Sequence, residues 1–470
     1  MSATHPTART ARLGFTDAAH DEVVLDDLEL TGELPTWLTG SLLRTGPARW
    51  DLPAGSVNHW FDGLAQLHRF SFDAGRVAYG SRFLRSKAFR HVEETGALGF
   101  REFATDPCRS AFRRVSSLFA SDITDNGAVN VTRLGDRYLA LTETPLPIAF
   151  DPQTLETFGV EGEPPVDIAS AHPHHDPERG LLVSHGTYLK GRTPGYALFA
   201  QRDTGHKDVF ARFAARRPAY HHAFGLTADH AVLAEAPLRM GNPIAMAVAD
   251  KPFIEHFRWD PAEPVRFLVA ERATGRRYEP WTADAFFCFH HVNAFEDGGD
   301  LVVDLLAFED PSIIDKLALH RLRAGEPVPM PRLHRYRLPL DRPGTHVTAE
   351  VLTDVGFELP RIDYRRCNGR PYTTVFGVSG ERWFERIVRV DVTTGAHTAW
   401  EEPGTYPGEP VFVGRPGATE EADGVLLSVL LEPDRDASSL LVLDAATLTE
   451  LARARVPHHI PFGFHGQHFR

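Results

Sequence analysis

The feature that most limits how this chain can fold is a weak internal repeat. A strand-like segment ends in an aspartate, a short turn follows, and a second strand-like segment begins. It reads as Arg69-Phe-Ser-Phe-Asp73, Pro147-Ile-Ala-Phe-Asp151, His256-Phe-Arg-Trp-Asp260, Tyr336-Arg-Leu-Pro-Leu-Asp341, Ile387-Val-Arg-Val-Asp391 and Leu440-Leu-Val-Leu-Asp444, with a poorer copy ending at Asp203. The seven aspartates lie 78, 52, 57, 81, 50 and 53 residues apart. One small sheet cannot bury both of its faces alone, so sheets repeated at such a period stack side by side into a closed ring. The expectation is an all-β fold, a seven-bladed β-propeller; ordinary hairpins spaced along the chain are the plainer alternative. The longer gaps predict insertions forming a helical and loop dome over one face, with residues 81–130, 210–250 and 274–295 as candidates.

Composition narrows the class. Apolar residues make up 42% of the 470, enough for a large core, and the formal net charge is -13. That charge disfavours nucleic acid, whose phosphates need clustered cations. The three cysteines, Cys108, Cys288 and Cys367, are widely spaced with no CxxC, which suits a reducing, cytoplasmic setting. Residues 1–22 are expected to be a flexible arm without the apolar core of a secretory signal, followed by one domain over 23–470. No stretch reaches the roughly 20 apolar residues of a membrane-spanning helix. In the segment 106–119, Phe112, Val115, Leu118 and Phe119 share one helical face beside Arg109, Arg113 and Arg114. Such a helix suits peripheral contact with a membrane surface, or packing on its own protein.

Four histidine stretches carry the chemistry: Ala171-His-Pro-His-His-Asp-Pro177, Tyr220-His-His-Ala-Phe-Gly225, Phe289-His-His-Val-Asn-Ala-Phe-Glu296 and Gly463-Phe-His-Gly466. Each lies beside glycine, proline or aromatics, where a strand turns. One histidine from each, meeting in space, would hold a single metal ion. Imidazole suits zinc, copper, nickel and ferrous iron. Four neutral imidazoles leave the ion's charge uncompensated, so carboxylates bonded to the far ring nitrogens are expected. Glu143, Glu358 and Glu409 lie in strand contexts that could supply them; each could equally be an exposed strand-end residue. No nucleophile elbow, zinc-protease, P-loop or dinucleotide motif occurs.

From about Gly40 to Arg470 the chain resembles the carotenoid cleavage oxygenase family. The matching motifs are Gly40-Ser-Leu-Leu-Arg-Thr-Gly-Pro47, His59-Trp-Phe-Asp-Gly63, Thr142-Glu143, Ala171-His-Pro-His174, His222-Ala-Phe-Gly225, Phe289–Glu296, Phe357-Glu-Leu-Pro-Arg-Ile-Asp-Tyr364, Glu409-Pro-Val-Phe-Val413, Glu421-Ala-Asp-Gly424 and Pro461-Phe-Gly-Phe-His-Gly466. The resemblance implies a seven-bladed propeller with Fe(2+) on its axis. It assigns His172, His222, His290 and His465 as ligands and Glu143, Glu358 and Glu409 as the carboxylates behind three of them. It implies a dioxygenase that splits a conjugated C=C bond of a carotenoid or apocarotenoid into aldehydes, retinal among them. The substrates would be an apolar polyene and O2. Phe61, Phe103, Thr142 and Phe464 would line the substrate tunnel, or serve as ordinary core. The segments 106–108, 142–144 and 420–424 are most similar to the animal branch of β-carotene oxygenases and retinoid isomerohydrolase. Stilbenoid-cleaving members, the alternative, carry a lysine where this chain has Thr142. Retinoid ester isomerisation and a metal-free binding scaffold are the remaining readings.

Overall fold

The computed structural model describes residues 11–106, 123–162, 164–191, 193–241 and 251–470. The segment 106–119, read as a membrane-contacting helix, lies outside the described residues apart from Asp106.

The apolar run Val425–Leu431 belongs to the strand Gly424–Glu432, which is buried along its whole length. Burial on both faces is the signature of a strand with a sheet packed on each side. That is the rule here. Seven antiparallel sheets stand in sequence order around a ring, so the chain is a seven-bladed β-propeller. Blade 2, for example, runs through Asn130–Leu134, Arg137–Leu141, Ile148–Phe150 and Thr157–Val160. Apolar clusters lie between neighbouring blades, and a larger one gathers the cover residues Phe89, Ile313 and Leu319 with Trp60 and Trp383. One inter-blade cluster joins Leu42, Phe70 and Tyr79 of blade 1 to Val425, Leu427, Leu440 and Val442 of blade 7.

Both ends of the described chain close the ring. The late strand Gly466–Phe469 pairs with Gly40–Arg49 as the inner edge of blade 1. The early strand Glu29–Gly32 pairs with Glu450–Val456 as the outer edge of blade 7. Residues 11–22 depart from the expected flexible arm. Ala11–Phe15 forms a 3-10 turn, and Phe15 is buried with its ring 4.9 Å from Trp383 and 5.1 Å from Phe462. A large aromatic side chain outweighs the loop-like composition around it.

The aspartate repeat marks the third strand of six blades. It fails at Asp260, which follows the strand Phe257–Trp259 in a separate hairpin with Leu238–Met240. The third strand of blade 4 is Val265–Glu271, ended by a glutamate and the turn glycine Gly275 at φ +71°. Local turn chemistry of the same kind misled the periodicity. The insertions also shift. Residues 274–295 are mostly blade strands, Trp281–Ala283 and Phe287–Asp297. The cover over the ring draws instead on residues 309–330, with the helices Ser312–Lys316 and Leu319–Arg323. The helix Lys87–Thr95 joins it as expected. Ser86 Oγ accepts from Phe89 N at 3.1 Å to start that helix, and Gly96 at φ +73° ends it.

Leu440 sits fully buried between the blades that close the ring. Leu440→Ala should cost about 2–5 kcal/mol in chemical denaturation; a loss under about 1 kcal/mol would mean that this seam contributes little to stability.

Candidate metal centre

The four histidine stretches lie at the inner edges of blades 3, 4, 5 and 1, where the strands are short, broken or shifted in register. His172 stands in the gap between Ile168–Ala169 and His174–Asp176 of blade 3. His222 precedes the two-residue inner strand Gly225–Leu226 of blade 4. His290 lies on Phe287–Asp297 of blade 5, within a register shift that opens after Cys288. His465 immediately precedes the closing strand Gly466–Phe469. Bulges and breaks free a side chain from the pleat and turn it toward the axis.

The structure brings these four together. One ring nitrogen from each lies within 4.8 Å of the other three. Nε2 of His172 is 2.8 Å from Nε2 of His222, and Nε2 of His290 is 3.1 Å from Nε2 of His465. On the far side, Nδ1 of His222 contacts Glu143 at 2.7 Å, Nδ1 of His290 contacts Glu358 at 2.6 Å, and Nδ1 of His465 contacts Glu409 at 2.7 Å. An ionised carboxylate can only accept, so these Nδ1 atoms carry the protons and three Nε2 lone pairs face a common point. Facing lone pairs repel one another, and a cation between them removes the repulsion. The donor set therefore fits a metal ion that prefers imidazole. Among the described residues His172 has no carboxylate; its backbone N–H donates to Ser170 Oγ at 3.0 Å, and Ser170 in turn donates to the His222 carbonyl at 2.7 Å.

At His172 and His465 the electrostatics favour the neutral ring. Burial, reinforced by the other three imidazoles, holds His172 well below the ordinary histidine range. Burial also lowers His465, to about 4, against the pull of Glu409. Glu409 is fully desolvated, which opposes ionisation, yet Arg361 and His465 lower it to about 2. Glu358 is likewise lowered despite its burial, chiefly by His290.

Above the histidines opens a cavity of about 1030 Å³. Phe61, Phe103, Thr142 and Phe464 all line it, and Phe289 and Leu359 join them. The rings of Phe61 and Phe103 are 5.1 Å apart, and so are those of Phe61 and Phe464. These aromatics form an apolar wall beside the converging ring nitrogens.

Three participants carried no assigned role in the sequence reading. Tyr220 donates its hydroxyl to Glu143, at 3.0 and 2.9 Å to the two oxygens; its place directly before His221-His222 was the available signal. Asp62, in the His59–Gly63 motif, accepts from the Ala104 N–H at 3.2 Å and from Thr105 Oγ1 at 2.6 Å. It thereby holds the turn that presents Phe103 to the cavity. Arg361 lies within the quoted Phe357–Tyr364 motif and reaches Glu409.

A seven-bladed ring with four axial imidazoles under a cavity defines a class of metal-dependent propeller. Residues 17–470 match the family model described as retinal pigment epithelial membrane protein. The chain belongs to this family, that of the carotenoid cleavage oxygenases. It is 33% identical to a mitochondrial carotenoid-cleaving dioxygenase of Macaca fascicularis, over 93% of this chain and 90% of the relative. It is 32% identical to the human beta,beta-carotene 15,15'-dioxygenase, over 93% and 91%. It is 33% identical to a carotenoid isomerooxygenase of Galleria mellonella, over 95% and 94%. Among solved structures it is similar to the cobalt-substituted apocarotenoid oxygenase of Synechocystis, with a TM-score of 0.86, 25% identity and 98% of each chain covered. No helix among the described residues is long and apolar enough to cross a membrane.

Two outcomes follow from this geometry. Glu358→Gln keeps the shape but removes the negative charge behind His290, and should weaken metal retention about 10–100-fold in a chelator competition. Unchanged retention would separate Glu358 from the metal. The second concerns pH. Burial raises the Asp62 carboxyl from 3.8 to about 7, against its hydrogen bonds from Thr105 and Ala104. Between those values the folded chain holds a proton that the unfolded chain has released, so this group makes stability fall as pH rises, by at most about 1.4 kcal/mol per pH unit. Asp62→Asn should therefore gain stability relative to the parent as pH rises from 4 to 7 in urea titrations. A pH-independent difference would contradict it.

Proposed function

We propose that this chain is a non-haem iron(II) dioxygenase that cleaves a conjugated C=C bond of a carotenoid or apocarotenoid to two carbonyl products, aldehydes such as retinal. The observation that carries the reading is the four-imidazole cluster opening onto an aromatic cavity large enough for a polyene. The relatives named as carotenoid-cleaving and beta,beta-carotene dioxygenases support it.

His172, His222, His290 and His465 would hold the ion. When bound, ferrous iron supplies a site that activates dioxygen toward an electron-rich double bond. The protein's own contribution is placement and exclusion. Glu143, Glu358 and Glu409 fix tautomer and ring orientation and offset the metal's charge. Tyr220 donates to Glu143 beside His222 and restrains the orientation of that carboxylate. Phe61, Phe103, Phe289 and Phe464 seat the polyene by apolar contact and keep bulk water away. Thr142 offers a hydroxyl at the wall where stilbenoid-cleaving relatives would need an ammonium to grip a phenolate; this favours a carotenoid. No side chain is required to move a proton.

An apolar substrate must arrive from a membrane or a carrier. The amphipathic sequence of 106–119 is our candidate for peripheral contact with a membrane surface, on the cytoplasmic side.

Iron-loaded protein incubated with carotenoids and apocarotenoids under ¹⁸O2 should give two labelled aldehydes. Unlabelled, isomerised product would favour retinoid isomerisation instead, and cleavage confined to resveratrol would favour the stilbenoid reading. His290→Ala should lose bound iron and product formation while keeping its far-ultraviolet circular dichroism; full activity in that variant would exclude the assignment.

A further inference from the structure

The three carboxylates behind the histidines are not equivalent. Glu143 is backed by the Tyr220 hydroxyl, and Glu358 by the Leu359 N–H at 2.7 Å. Glu409 meets a guanidinium. Arg361 Nε lies 2.9 Å from Glu409 Oε1, and Nη2 donates to Oε2 at 3.0 Å. The same Nη2 contacts the carbonyl oxygen of Gly466, the residue after His465, and Nη1 reaches the Gln467 side chain at 3.4 Å. Glu409 Oε2 also accepts from the Gly466 N–H at 2.9 Å. Gly466, the residue that follows His465, is thus held through its N–H by Glu409 and through its carbonyl by Arg361. Arg44, the other buried guanidinium nearby, is turned to the Phe464 carbonyl at 3.4 Å instead.

The backbone that delivers Arg361 is unusual. Glu358 pairs with Val378 and Arg361 with Phe376, with a register shift between them. Leu359 in that bulge has φ +52°, a conformation that costs an ordinary residue of order 1 kcal/mol or more. It persists because the chain is held at both ends of the kink: Glu358 reaches His290, and Arg361 reaches Glu409. One short inner strand of blade 6 therefore supports two of the four histidines, on blades 5 and 1.

We infer that Arg361 is a positioning residue for the metal centre, which fixes His465 by clamping both Glu409 and the Gly466 peptide. This rests on the four-histidine reading above. Arg361 gives Glu409 one hydrogen bond from Nη2 and a close ion-pair contact from Nε while also reaching the Gly466 carbonyl, a spread of contacts that the compact ammonium of a lysine does not match. Removing it leaves Glu409 buried with only the His465 ring and the Gly466 N–H as partners, and removes the side-chain hold on the Gly466 carbonyl beside His465.

The test uses full-length protein loaded with iron(II), and separately with cobalt(II), whose visible spectrum reports ligand geometry. Arg361→Gln should release metal to a chelator about tenfold faster than the parent, within the range for changes behind a ligand, and should alter the cobalt absorption bands. Arg361→Lys keeps the charge without that spread of contacts and should fall between them. Equal thermal midpoints of the metal-free forms would set the effect apart from general destabilisation. Parental release and spectrum in folded Arg361→Gln would overturn the inference; should that variant not fold, parental behaviour of Arg361→Lys would overturn it. His465→Ala serves as the control. If it loses metal while both Arg361 variants retain it, only the role of Arg361 fails. If it retains metal as the parent does, the four-histidine centre fails and takes this inference with it.

Discussion

Everything else in the molecule answers to one electrostatic requirement. Four imidazoles are held with ring nitrogens converging on one point, three of them with lone pairs turned inward, and nothing in an apolar protein interior makes that arrangement favourable by itself. The carboxylates behind His222, His290 and His465 make it tolerable by fixing the protons on the far nitrogens. Glu358 and Glu409 are themselves buried and Glu143 is half-buried, so they would be costly to leave ionised alone. Tyr220, the Leu359 N–H and Arg361 settle that second debt of polarity, one for each. The centre is therefore a set of nested hydrogen bonds, each layer justifying the burial of the one inside it.

The propeller is the architecture that can meet this requirement at low cost. Its symmetry gives seven inner edges around one axis, and each blade contributes one member. His465 comes from blade 1, Glu143 from blade 2 and His172 from blade 3. His222 comes from blade 4, His290 from blade 5, Glu358 from blade 6 and Glu409 from blade 7. No loop has to reach far. Each residue sits at a break, a bulge or a strand end, so the price in lost sheet hydrogen bonds is spread around the ring.

Much of this was legible in the sequence, for definable reasons. The four histidine stretches and three glutamates stand in motifs with local punctuation, and that punctuation is what turns a side chain to the axis. The repeat revealed six blades because an aspartate-led turn tightly follows their third strands. Asp260 misled because an inserted hairpin uses the same turn chemistry, while the true strand ends in Glu271. Phe15 was missed because one aromatic in a loop-like stretch gives no periodic signal. Residues 309–330 were missed as part of the cover because their helices are of only five residues each, too short for an amphipathic pattern to emerge. Arg361 and Tyr220 stood in plain view beside recognised residues, but a supporting role leaves no spacing of its own.

The seam between blades 7 and 1 gives the centre an order of assembly. His172, His222 and His290 come from three consecutive blades and can approach one another once the middle of the chain has folded. His465 arrives only when Gly466–Phe469 docks against Gly40–Arg49, strands drawn from opposite ends of the described chain. An unclosed ring therefore presents three imidazoles and an open rim, and the full donor set exists only after circular closure. Ring closure and completion of the donor set are one event: the strand that finishes blade 1 is the one that brings His465 to the histidines of blades 3, 4 and 5.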